Sequence, residues 1–284
     1  MIIRLGHSPD ADDAFMFWAL AEGRVETPLQ FEHVLRDIQT LNEWSRQGRL
    51  EFTAMSVHNL AYVADRYRVL NQGGSFGDGY GPMLVAREPI PLERLAEYTI
   101  AVPGRLTSAY LALRLLLPEA QTIEMPFDEI MLAVLAGHVP VGLLIHEGQL
   151  THRTAGLHTL VDLGVWWQEQ TRSLWSTDTL QGLPLPLGIN AVRADLPEWV
   201  QREIARVVRE SIRLGLENRE QAMAYAMRFG RGIDPATADR FVQMYVNDLT
   251  LDMGMRGRLA ITEFLRRGAE AGIVPMTTPR WLEV

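Results

Sequence analysis

The chain has 284 residues, 47% hydrophobic and 22% charged, with a formal net charge of -8. That suffices for one large domain or two of ordinary size around a real core, and no apolar run reaches the ~20 residues of a bilayer span. Cys and Lys are both absent, which excludes disulfides, thiolate nucleophiles, cysteine-bound metals, Schiff-base chemistry and a Walker A lysine.

Scattered arginines on an acidic chain argue against a nucleic-acid surface. The opening Met1-Ile2-Ile3-Arg4 meets charge too early for a signal peptide. The expectation is a cytoplasmic protein with neither nucleic-acid nor membrane partner.

Ile2 to Gly6 reads as a short strand broken by Ser8-Pro9-Asp10, and a helix follows from about Asp13 to Leu20, stopped by Gly23. Phe31 to Leu35 alternates like a strand, Asp37 to Arg46 has helical spacing, and Phe52 to Ser56 is a further strand leading into a helix through Leu60 and Val63. Gly73 to Pro82 is a glycine-rich loop, a turn or a mobile rim of a cleft, and it opens into the strand Met83 to Ala86. Two βαβ units then follow: the strands Tyr98–Val102, Thr122–Met125 and Val139–Ile145, with helices capped by Thr107 or Ser108 and by Asp128. They predict a parallel sheet with right-handed crossovers.

Beyond Leu160 a Trp-bearing polar segment leads to a strand at Ile189–Val192, and from Pro197 the chain is mostly helical. The expected architecture is two α/β domains. Residues 1–86 and 192–284 form a larger, discontinuous domain, residues 87–191 a smaller inserted one, and a ligand cleft lies between them.

Ligands in open α/β sheets bind beyond the carboxyl ends of strands. Four such ends carry chemistry here: His7-Ser8, Ser56, Thr107-Ser108 and His146. Thr107-Ser108 opens a helix whose unpaired amides suit a carboxylate or phosphate, with Arg105 as a possible cationic partner; the plainer reading is an N-cap. His146 is either a general base at a strand end or a buried, hydrogen-bonded histidine. With Glu147 and His152 it does not form a zinc-binding HExxH pattern. Asp10, Asp12 and Asp13 read as helix capping and dipole complementarity rather than as a cation site. His58 and His7 could face the cleft; His33, His138 and His158 have no company. Trp166, Trp167 and Trp175 suit core or lid packing better than stacking on a ligand.

The chain resembles the 1,4-dihydroxy-6-naphthoate synthase family of the futalosine route to menaquinone. The motifs are Leu5-Gly6-His7-Ser8-Pro9 with Asp13 and Phe15, Leu41-Asn42 to Leu50, Asp65-Arg66-Tyr67 and Gly81 to Arg87. Ala101 to Arg105 with Thr107, Gly142 to Glu147, Val161 to Gly164, Leu183 to Gly188 and Tyr245-Val246-Asn247 complete them over nearly the full length.

The resemblance implies a two-domain fold like periplasmic binding proteins of the second type. It implies conversion of cyclic dehypoxanthine futalosine to 1,4-dihydroxy-6-naphthoate, a carbon–carbon lyase reaction with no metal or organic cofactor. His146 would be the base, its ring oriented by Glu147 or a backbone carbonyl. Ser8, Ser56, Thr107 and Ser108 would hold a small carboxylate substrate, Thr107-Ser108 at the carboxylate.

The first loop departs from the family, which reads Ser-Pro-Cys-Pro-Asn-Asp-Thr where this chain has Ser8-Pro9-Asp10-Ala11-Asp12-Asp13-Ala14, and there is an insertion around 172–181. The rival readings are a non-catalytic carboxylate-binding protein, the related chorismate-dehydrating enzyme, and a paralogue with another substrate.

Overall fold

The structure is a computed structural model in which residues 1–175, 182–229 and 233–283 are described. The chain opens with β1 (Ile2–His7), α1 (Ala11–Ala21), β2 (Gln30–Leu35), α2 (Ile38–Arg46), β3 (Phe52–Ser56), α3 (Val57–Leu60), β4 (Tyr67–Val69) and β5 (Ser75–Gly77). It continues through β6 (Met83–Ala86), β7 (Thr99–Val102), α4 (Ser108–Leu116), β8 (Gln121–Glu124), α5 (Ile130–Leu135), β9 (Val141–Leu144), α6 (Gly148–Thr151), β10 (His158–Asp162) and α7 (Leu163–Gln170). It closes with β11 (Leu185–Arg193), α8 (Glu198–Glu217), α9 (Arg219–Ala226), α10 (Pro235–Tyr245), α11 (Asp248–Leu251) and α12 (Gly254–Glu270).

These strands form two sheets. The first runs β2-β1-β3-β11-β4 with β5 also on β11, and the second runs β10-β6-β9-β7-β8. Neither is wholly parallel, which corrects the expectation of a parallel sheet. β7 pairs parallel with β8 and β9, as two βαβ units require, but β6 enters antiparallel to β9 and β10 antiparallel to β6. β11 likewise runs against β3, β4 and β5. The strands at the expected domain crossings therefore sit as follows: Met83–Ala86 in the second sheet, Leu185–Arg193 in the first.

One apolar core is continuous between the sheets. It joins Met55 and Val57 to Leu84, Ile100 and Val141, with Phe264 and Leu265 of α12 packed in. A second core surrounds α1, whose Phe15, Met16, Phe17 and Trp18 are at most 2% exposed and meet Ile204, Val208 and Ile212 of α8. Trp167 belongs to the first core: fully buried, edge-on to Phe264 at 5.1 Å, its indole N–H donating to the Pro184 carbonyl. Trp166 packs on the same core, so these tryptophans pack rather than stack on a ligand. Helix α5 starts after Glu129 without a side-chain cap, so Asp128 is not its N-cap. Of the expected insertion, residues 176–181 lie outside the described residues.

Two local devices shape the cleft edge. Gly73 has φ +78°, and a Cβ there would lie 2.0 Å from Asn190 Nδ2, which donates to the Gly73 carbonyl; only glycine fits. At the other edge, His33 is not alone. The His7 Nδ1–H donates to the Ser8 carbonyl at 3.0 Å, so His7 Nε2 must accept, and the His33 Nδ1–H supplies the bond at 2.9 Å. The parallel β1–β2 register creates the pair: His7 is level with Leu35, whose same-face neighbour two residues back is His33.

Burial holds both rings at about 4, His33 being further depressed by the nearby His7. Burial does the same to His58, at about 4. The unfolded chain takes up these protons near the ordinary histidine value, whereas the fold resists until about 4, so stability is complete above that value and falls as pH drops toward 4. Thermal melting followed from pH 7 to 5 should show this loss, about 1.4 kcal/mol per pH unit for each ring at most. The fall should be shallower in His33→Leu; an unchanged slope would contradict the buried neutral pair.

Candidate active site

The carboxyl ends of β1 and β3 in one sheet, and of β7 and β9 in the other, open on a single cavity of about 130 Å³. Ser8, Ser56, Thr107, Ser108 and Ile145 line it, with Asp10, Asp12 and Asp13 from the start of α1. Gly73, Ser75 and Pro82 of the glycine-rich loop form part of its wall, as do Leu187 and Ile189 of β11 and Phe241 and Tyr245 of α10.

The hydroxyls expected to hold substrate have different fates. The Thr107 hydroxyl is used locally: it accepts from the Tyr110 amide at 3.2 Å and donates to the Gly104 carbonyl at 2.8 Å, the plain N-cap. Ser108 Oγ is a cross-link, accepting from the His58 amide at 3.2 Å and donating to the Leu187 carbonyl at 2.5 Å. What α4 offers the cleft is its backbone. The amides of Ser108 and Ala109 open a nine-residue helix and have no intrahelical acceptor, so with the helix dipole they form a seat for an anion. Arg105 is no part of it, since it pairs with Glu124 at 3.1 Å on the exposed edge.

Ser56 is held by Asn42. Its amide donates to Asn42 Oδ1 at 2.8 Å and its Oγ accepts from Asn42 Nδ2 at 3.0 Å, which leaves the Ser56 hydroxyl proton for the cleft. Asn42 was missed as a functional residue, although the Leu41-Asn42 motif contained it. His58 lies behind the seat, its Nδ1–H donating to the Thr107 carbonyl at 3.1 Å and its ring stacked on Tyr110; it positions α4 and does not line the cavity.

His146 follows β9, is 9% exposed and stands edge-on to Phe127 at 5.4 Å. Its Nδ1 accepts from the Gly148 amide at 2.9 Å. At Nδ1, therefore, the ring meets a backbone donor.

The three aspartates are more than helix caps. Asp10 occupies the N-cap position of α1 without a side-chain capping bond, and Asp13 accepts from the Ser8 amide at 2.7 Å. Burial, then the charges of Asp13, Asp10 and Glu147, pushes Asp12 well above the carboxylate range; burial raises Asp13. Glu147, which follows β9 of the other sheet, thus lies near enough for its charge to act on Asp12. Tyr245, held well above the usual phenol range by burial, donates to Gln149 Oε1 at 2.8 Å and so bridges α10 to α6. Neither Phe241 nor Gln149 carried a sequence signal; Tyr245 stood in a quoted motif. Among the described residues no group of three or more His, Asp or Glu is arranged to hold a metal ion, and no helix is long and apolar enough to cross a membrane.

Comparisons with known proteins give the family and the fold. A 1,4-dihydroxy-6-naphthoate synthase of Thermus thermophilus is 40% identical over 99% of both chains, and one of Streptomyces coelicolor is 36% identical over 98% of this chain and 96% of its own. The crystal structure of protein AF1704 from Archaeoglobus fulgidus matches with TM-score 0.90 and 46% identity, covering 96% of this chain and 98% of that one. At 13% identity, a Candida albicans protein described as having the generic periplasmic binding protein fold matches with TM-score 0.68 over 98% of this chain and 92% of its own, a likeness of fold alone. The fold is therefore α/β of the two-sheet, periplasmic-binding-protein-like kind. The family described as menaquinone biosynthesis matches residues 3–270, and this chain belongs to it, an enzyme family whose relatives here are synthases.

Proposed function

We propose that this protein is a cytoplasmic carbon–carbon lyase that converts cyclic dehypoxanthine futalosine to 1,4-dihydroxy-6-naphthoate. The observation that carries the reading is that the start of α4, with its Ser108 and Ala109 amides, opens on the same cavity as Ile145, the residue that precedes His146. The substrate's carboxylate sits at the helix start and Ser56 donates to a substrate oxygen. His146 supplies the proton-handling group at the reacting ring. The lobe built on the β2-β1-β3-β11-β4 sheet and the lobe built on the β10-β6-β9-β7-β8 sheet together exclude water during the reaction.

The test is incubation of purified protein with cyclic dehypoxanthine futalosine, following product by mass and absorbance. The expected result is 1,4-dihydroxy-6-naphthoate, with kcat falling by at least about 10²-fold in His146→Ala and substrate affinity largely kept. Binding without turnover would instead make the protein a carrier or a paralogue with another substrate.

The Asp12 carboxyl yields a second expectation. Protonated at low pH, it spares an incoming carboxylate; ionised as pH rises, it repels it. KM should therefore climb with pH in the wild type and stay flatter in Asp12→Asn, which restores the family's residue. Parallel profiles for the two proteins would remove Asp12 from substrate electrostatics.

A further inference from the structure

The fold itself accounts for nearly every glycine. Among the described residues, each glycine but one either has a left-handed φ or would place a Cβ within 3.3 Å of a neighbour. The exception is Gly188. Its φ is not left-handed, and a Cβ there would meet nothing nearer than Ser75 Cβ at 3.6 Å, an ordinary contact.

Gly188 lies inside β11, where a glycine packs no side chain and loses the most chain entropy, so alanine would suit the strand better. The neighbouring bulge does not call for it either. The β11–β5 register shifts between Pro186 and Gly188, leaving Leu187 out of the ladder, and the Leu187 carbonyl accepts from the Ser108 hydroxyl. What remains is the other use of a glycine in mid-strand, a place where a ligand approaches the backbone closely.

The surroundings give that space its chemistry. Gly188 is level with Ser56 of β3 on one side and with Ser75 of β5 on the other. Opposed residues of antiparallel ladders share a face, and all three line the cavity of about 130 Å³. Ser56 and Ser75 thus stand two strand spacings apart, about 10 Å, with bare backbone between them. The Ser56 hydroxyl keeps its proton for the cleft, because its oxygen already accepts from Asn42. Ala109, at the start of α4, lines the same cavity.

We propose that Gly188 is a specificity-determining residue: its bare backbone is the floor against which the flat ring system of an aromatic carboxylate lies, with the carboxylate at the start of α4. The inference rests on the proposed function for its ligand and adds the seat of the ring. A ring gains full dispersion contact only at about 3.5–4.0 Å from the atoms beneath it. A Cβ on residue 188 would lift it away while leaving the strand intact.

The test pairs affinity with stability in Gly188→Ala, made in the full chain. Calorimetric titration with 1,4-dihydroxy-6-naphthoate and, separately, with 2-naphthoate should show Kd raised at least about tenfold over wild type, the scale of one surplus methyl in a fitted pocket. The melting temperature without ligand should stay level or rise.

A Gly188→Ala protein that melts several degrees lower overturns the proposal, because the fold then explains the glycine. One that binds both naphthoates as tightly as wild type overturns it too, as does a wild type that binds neither. Wild-type protein that binds a naphthoate, loses it in Gly188→Ala and yet turns over no cyclic dehypoxanthine futalosine would strike the proposed reaction and support the seat of the ring.

Discussion

Ser108 joins three segments at one hydroxyl. It accepts from the His58 amide and donates to the Leu187 carbonyl, while His58 itself donates to the Thr107 carbonyl. All of these groups are buried or nearly so, and a buried amide or carbonyl stripped of its partner costs about 1–3 kcal/mol. The start of α4 therefore cannot drift relative to α3 and β11. Because α4 follows a strand of the second sheet and β11 belongs to the first, this small network sets the register between the two sheets. The proposed anion seat is built by one and aimed by the other.

The electrostatics of the cavity follow from that placement. The helix start favours an anion, yet three aspartates line the same space and Glu147 adds its charge from beyond it. Burial resolves the conflict: desolvation and mutual repulsion make ionisation of Asp12 unfavourable, so fewer negative charges confront the ligand than the residue count suggests. The Ser8 amide lowers the cost of charge on Asp13. Phe241 and Tyr245 complete the wall from α10, and Tyr245 also donates to Gln149 of α6.

Strand ends were legible in the sequence because a short apolar run that stops at Ser8, Ser56 or His146 marks where the chain leaves the sheet. Helix starts were legible where Thr107 and Asp37 cap them. Register was not. The His7–His33 pair depends on how β1 lies along β2, and the mixed direction of β6, β10 and β11 depends on how the chain passes between the sheets. Nor could the use of a hydroxyl be read: Thr107 and Ser108 look like ligand groups until Gly104, Tyr110, His58 and Leu187 are found occupying them. Asn42, Gln149 and Phe241 reach the site from distant positions and carry no local pattern, whereas Asp12 was visible as a departure from the family but not as a lining residue.

The proposed reaction requires the ligand's carboxylate on the α4 amides and its ring system beside His146. A crystal structure with 1,4-dihydroxy-6-naphthoate bound tests this most directly. Carboxylate oxygens are expected within hydrogen-bond distance of the Ser108 and Ala109 amides, with the naphthoate ring within reach of His146. A carboxylate seated elsewhere in the cavity, or a ligand making no contact with His146, would contradict it.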